Sequence, residues 1–177
     1  MKDPRQNPAC TQRRVVLLSF LSLLLFAGTP HAADTDKAEQ HYQQGQAAYS
    51  NGDLQTAEIQ LLLANREQPQ RADIMKALAT VYLIKRDYPR GNEWAQRLIE
   101  QQPNEATNYI LKGQLEHEQG QHASAQLSYE TAARLAPNDP QIQSQVAGFF
   151  STVDQHDQAE SYSQRSKILR NPNNANR

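Results

Sequence analysis

Pro69, Pro103 and Pro137 recur at intervals of 34 residues, and the next slot, Asn171, falls one residue before Pro172. A proline in a helix interior costs about 3 kcal/mol, so these positions must be helix boundaries. The stretch between two of them has room for a pair of helices of about 14 residues each. Other positions keep the same step. Gly45, Ala79, Gly113 and Ala147 form one column of small residues, and Ala57, Gly91, Ala125 and Ala159 form a second. Gly52, Arg86, Gly120 and Asp154 sit where a short turn must join the two helices of each unit. Small residues let two helix backbones approach while larger apolar neighbours fill the space beside them. An isolated pair cannot bury its apolar face, so the units must stack, each on its neighbours.

With units beginning at Ala38, Ala72, Ala106 and Pro140, the columns resemble the tetratricopeptide repeat, W-x2-L-G-x2-Y, then A-x3-F, then P. The second unit carries Met75, Leu78, Ala79, Tyr82, Gly91, Ala95, Leu98 and Pro103. The third carries Tyr109, Gly113, Ala125, Tyr129, Ala132 and Pro137, and the first Gly45, Ala48, Ala57, Leu61, Ala64 and Pro69. The fourth matches at Val146, Ala147, Phe150 and Ala159 and then departs. The resemblance spans nearly all of the chain after Asp36. It implies an all-α fold, a right-handed α-solenoid of about four helix-turn-helix units, eight helices in all. The repeats run 38–71, 72–105, 106–139 and 140–170.

Departures from the pattern carry their own expectations. Gln44, Lys112 and Glu116 stand where the family prefers apolar residues. Lys112 and Glu116 are four apart and are expected to turn outward together as a pair worth ~0.3 kcal/mol. The last helix, about residues 157–169, has Ser163 and Ser166 where the first unit has Leu61 and Ala64. That predicts a polar cap, since a terminal repeat needs a solvated outer face. The tail, residues 171–177, has no core-forming side chains and is expected to be disordered.

Before the repeats lies a different kind of segment. Lys2, Arg5, Arg13 and Arg14 precede an apolar run from Val15 to Ala27, then Gly28-Thr29-Pro30 and the small residues Ala32 and Ala33. These are the parts of a secretory signal peptide. The run through Gly28 would make only about 21 Å of helix against a hydrocarbon core of about 30 Å. Residues 1–32 therefore read as a signal-peptide helix, cleaved or retained as an inner-membrane anchor over residues 15–28, with 33–37 a short linker. Cys10 precedes the apolar run, so it cannot be a lipoprotein cysteine, and without the leader no cysteine remains. The remainder has 14 Lys+Arg against 18 Asp+Glu, net −4. A mildly acidic chain without thiols fits a bacterial-type periplasm and does not suit nucleic acid. Membrane contact is expected only through an uncleaved leader.

Chemistry-bearing patterns are sparse after the leader. There is no Gly-rich phosphate loop, no HExxH and no CxxC, so the chain reads as non-enzymatic, with no cofactor, no metal and no catalytic residue. His122 and His156 are 34 apart. They could approach a metal with Asp154 or Asp157, but Leu54, Tyr88, His122 and His156 read better as one column of packing residues. Glu116, His117 and Glu118 are adjacent on a helix and point about 100° apart, so they cannot converge on one substrate atom. Lys85, Arg86 and Arg90 make a small basic patch around a turn, read as solvated. Trp94 reads as packing between repeats.

The resemblance implies that the first helices line a concave face through their second, fifth, ninth and twelfth positions. Carried over, these are Glu39, Tyr42, Gln46 and Tyr49, then Asp73, Lys76, Thr80 and Leu83. Thr107, Ile110, Gln114 and His117 follow, and finally Gln141, Ser144 and Ser151. Only Lys76 could serve the clamp with which some family members hold a terminal carboxylate. A groove of Tyr, Gln, Thr and Ser suits an extended polypeptide, whose backbone needs hydrogen-bond partners. It would also suit a polysaccharide. The function expected is a protein-binding scaffold in the cell envelope, where the resemblance implies pilus, secretion or exopolysaccharide machinery. The alternative is a periplasmic module for polysaccharide or peptidoglycan.

Overall fold

The computed structural model describes residues 32–171, and these form eight helices and no strand. They are α1 (Ala32–Ser50), α2 (Leu54–Glu67), α3 (Ala72–Ile84), α4 (Tyr88–Gln101), α5 (Ala106–Glu118), α6 (His122–Leu135), α7 (Pro140–Thr152) and α8 (His156–Arg170). Unit boundaries at Ala72, Ala106 and Pro140 coincide with the starts of α3, α5 and α7. The expected linker, residues 33–37, is instead continuous with α1, because nothing between Ala32 and Ser50 breaks a helix. The leader, residues 1–31, and the tail beyond Asn171 lie outside the described residues.

The turns follow from the columns. Gly52, Arg86, Gly120 and Asp154 have φ of 78°, 59°, 81° and 58°, the positive-φ residues of the described chain. Each ends the first helix of its unit in the left-handed region. In the first unit Gly52 N–H donates to Tyr49 O and Asp53 N–H to Ala48 O, the double bond pattern that closes a helix C-terminus. The pairs Arg86/Asp87 and Gly120/Gln121 repeat it. The next residue starts the second helix. Asp53 and Asp87 accept the N–H groups of Thr56 and Arg90 at 3.0 and 3.4 Å. Gln121 and Gln155, in the same slot, make no side-chain cap bond. Pro69, Pro103 and Pro137 lie in the turns between units, where their missing N–H costs nothing.

Packing is serial. α1 lies on α2, α3 on α4, α5 on α6 and α7 on α8, and each even helix also meets the next odd one. The odd helices approach one another in sequence, α1 to α3 to α5 to α7, whereas among the described residues no two even helices come together backbone to backbone. The array therefore curves, with odd helices inside and even helices outside. Both small-residue columns are buried throughout, including Ala57, Ala79, Ala125 and the glycines 45, 91 and 113. A Cβ at Gly45 would stand 2.8 Å from Leu61 Cγ, and one at Gly113 would stand 2.9 Å from the Tyr129 ring. The apolar core is three clusters that straddle unit boundaries, and Trp94 packs against two of them, as expected.

Three polar groups depart from expectation. Glu116 is buried, not turned outward. Its carboxylate accepts from Lys112 Nζ and from Ser128 Oγ of α6, each at 2.6 Å. The slot faces the helix contact, as Tyr82 and Phe150 show one unit to either side, so the charge is satisfied in place. Ser166 is also buried, donating to Pro140 O at 2.7 Å, so it ties α8 to α7 instead of facing water. Lys85 and Arg90, read as a solvated patch, are held by Glu58 of α2. Leu54 and Tyr88 are half-buried but His122 and His156 are exposed, so that column packs only in its first two members.

Glu58 joins the first two units. It accepts from Tyr82 Oη at 2.8 Å, from Lys85 Nζ, and from Arg90 Nη1 at 3.2 Å. Burial by itself would raise its carboxyl, but the Lys85 and Tyr82 bonds and the two cations outweigh that and hold it below the usual range. A carboxyl lowered by folding contributes stability that is complete above its unfolded value, about 4.3, and is lost as pH falls through the folded one. The melting temperature is therefore expected to fall between about pH 5 and pH 3. The fall should be smaller in Glu58→Gln, which is itself less stable at pH 7 by about 1–3 kcal/mol. Parallel pH curves for the two proteins would show that Glu58 is not coupled to folding.

Candidate functional site

The inner face is built from α1, α3, α5 and α7, and hollows open along it. The first, about 200 Å³ between α1 and α3, is walled by Tyr42, Gln46, Tyr49, Asp73, Lys76, Ala77 and Thr80, with Leu61 and Val81 at its floor. The second, about 300 Å³ and shared by α3, α5 and α7, is lined by Lys76, Thr80, Thr107, Ile110, Leu111, Gln114, Asp139, Gln141, Ile142 and Gln145. Lys76 and Thr80 border both, so the two hollows adjoin across α3 and together make up the trough of the inner face. A third, about 450 Å³, adjoins it around Leu83, Gln114, His117, Glu118, Tyr88 and Tyr129.

The walls are held by their own hydrogen bonds. Gln46 Nε2 donates to Tyr42 Oη at 2.8 Å, and the Arg71 guanidinium lies 5.0 Å above the Tyr42 ring. Arg71 also donates to Glu39 at 2.8 Å and grips Asp73 through two bonds, so the rim of the first hollow is clamped across α1 and α3. The Arg71 guanidinium holds the Asp73 carboxyl below the usual carboxylate range, although partial burial opposes it. Lys76 Nζ donates to Thr107 Oγ1 at 3.1 Å, spanning α3 and α5. Thr80 turns its hydroxyl back to Lys76 O at 2.8 Å. The trough therefore offers rings, amides and hydroxyls with mixed charges, and neither sign dominates.

Most of the residues carried over from the repeat pattern meet here. Tyr42, Gln46, Tyr49, Asp73, Lys76, Thr80, Leu83, Thr107, Ile110, Gln114, His117 and Gln141 line one hollow or another. Glu39 is engaged with Arg71 at the rim. Ser144 and Ser151 line none of the three, and Ser151 donates to Ala147 O within its own helix. The pattern missed the sixth position of α3, α5 and α7, counted from the start of each unit, where Ala77, Leu111 and Gln145 line the hollows. They recur in the same 34-residue step, so the signal was present in the sequence. Arg71 and Asp139, from the turns before α3 and α7, lie two 34-residue steps apart in the slot just ahead of the first helix, which the carried-over pattern does not include.

Solved structures match this arrangement. A crystal structure of MamA aligns with a TM-score of 0.67 and 17% identity over 80% of this chain and 83% of that one. MamA 41-end from Desulfovibrio magneticus RS-1 aligns with a TM-score of 0.67 and 19% identity, over 81% and 86%. TTC0263, a thermophilic tetratricopeptide-repeat protein of Thermus thermophilus, aligns with a TM-score of 0.64 and 18% identity, over 75% and 74%. No protein-family model matches the sequence, and comparison with curated proteins gives no significant match. At these identities the likeness concerns the fold, an α-solenoid of tetratricopeptide type, which is the architecture the 34-residue register implies.

Proposed function

From a chain with the tetratricopeptide-repeat fold, we propose a non-enzymatic scaffold that holds an extended segment of another protein along α1, α3, α5 and α7. The observation that carries this reading is that the first two hollows adjoin on the inner face, with Lys76 and Thr80 bordering both. An extended peptide presents a backbone donor or acceptor every few ångströms, and Gln46, Lys76, Thr107, Gln114 and Gln141 provide complementary groups in the two hollows. Tyr42 and Tyr49, both half-buried, add flat apolar surface at small entropic cost. The setting proposed is the cell envelope, with a pilus or secretion assembly as the partner class. Support for that setting comes from the signal-peptide pattern and the absence of cysteine after Cys10.

Site-specific photocrosslinking in cells tests the reading. A photoreactive residue at Thr80 or Gln114 should give a discrete adduct with one contiguous peptide of an envelope protein. The same residue at Leu127, on the outer helix α6 and 66% exposed, should not. Equal adducts from Leu127, or adducts to glycan alone, would overturn the peptide groove, the second in favour of a polysaccharide module.

A further inference from the structure

His122 has a histidine partner, but it is not His156. The turn at Gly120 brings His122, the first residue of α6, back against His117 near the end of α5. Their Nδ1 atoms stand 3.2 Å apart and the ring centroids 5.1 Å apart. α7 supplies the backing. The Phe149 ring meets His117 edge-on at 5.5 Å, and Thr152 Oγ1 stands 3.4 Å from His117 Nε2.

The hydrogen bonds decide which nitrogen is available. Thr152 Oγ–H donates to Phe149 O at 2.7 Å, so only the lone pairs of that oxygen remain for His117. This arrangement favours the ring proton on His117 Nε2 as donor, which leaves a lone pair on Nδ1 in the neutral imidazole. That Nδ1 faces His122. Two nitrogens bound at 2.0–2.1 Å to one tetrahedral ion stand about 3.3 Å apart. The observed separation of 3.2 Å nearly matches that edge, and a partner on the far nitrogen of His117 is the support that ligating histidines ordinarily have.

We propose that His117 and His122 bind one divalent transition-metal ion through their Nδ1 atoms. Imidazole ligands direct the choice to zinc, copper(II) or nickel. Among the described residues no group of three or more His, Cys, Asp or Glu converges, so water completes the coordination. On binding, His122 releases the Nδ1 proton it shares with His117 to water and takes one from water on Nε2, a change of tautomer with no net change of charge on the ring. The site lies at the edge of the third hollow, apart from the Lys76 trough, and does not depend on the peptide reading.

Calorimetric titration of the untagged full chain with Zn²⁺, and separately with Cu²⁺, tests this. One equivalent is expected to bind. His122→Asn and His117→Asn should each weaken binding at least tenfold, while His156→Asn and His41→Asn leave it unchanged. Thr152→Val, which removes the partner of His117 Nε2, should weaken it about tenfold or more. His122 is exposed, so its variant should keep the wild-type melting temperature without metal. No saturable binding of either ion at millimolar concentration would overturn the proposal. So would unchanged affinity in His122→Asn, or loss of the equivalent in His156→Asn.

Discussion

Phe150→Ala is expected to destabilise the protein by about 3–5 kcal/mol, and to do so at one end. Phe150 is fully buried. It stacks on Tyr162 of α8 at 5.5 Å and leans on Phe149 at 5.3 Å, and Phe149 in turn stacks on Tyr129 of α6 at 4.4 Å. This ladder of rings is the main apolar link between α8 and the rest, since α8 itself buries only Ala159 and Ser166. In a serial array each unit contacts only its neighbours, so the loss should stay local. Hydrogen exchange should show α7 and α8 losing protection while α3 and α4 keep theirs. Uniform loss across all eight helices would mean that the array unfolds as one block.

Gly113→Val is expected to cost about 1–3 kcal/mol by overpacking. A Cβ at this position would lie 2.9 Å from two atoms of the Tyr129 ring. The ring has little room to withdraw, because Phe149 stacks on it at 4.4 Å. The two helices must therefore separate, or Tyr129 must leave its place. Valine also loses side-chain freedom in a helix, so propensity offers no compensation. Combining Gly113→Val with Tyr129→Ala should cost less than the sum of the single changes, since the second removes what the first strikes. Additive melts would place the α5–α6 contact elsewhere.

How much was legible in the sequence differs by kind of residue. The turns at Gly52, Arg86, Gly120 and Asp154 were readable because the chain supplies the same local instruction four times. Two of those positions are not glycine, so the register and not the residue type identified them. The small-residue columns were readable because a crossing helix tolerates no bulk there, whatever the partner. Glu116 was misjudged for the opposite reason. Its spacing from Lys112 described an exposed ion pair, and nothing local announces that Ser128 waits on α6 to satisfy a buried carboxylate. Lys85 and Arg90 formed a basic patch in sequence and a counter-charge to Glu58 in space.

By itself the amino-acid sequence determined where the helices after α1 begin and end and which residues lie at the crossings. Proline, glycine and side-chain volume act on the backbone within a turn or two, so a linear register carries them. Tertiary structure alone decided that Arg71 clamps Glu39 to Asp73, that Lys76 borders two hollows at once, and that His117 meets His122 under Thr152. Each of these brings together groups from different helices. Charge and hydrogen bonding act over a few ångströms of space, and only the stacking of the units sets those distances.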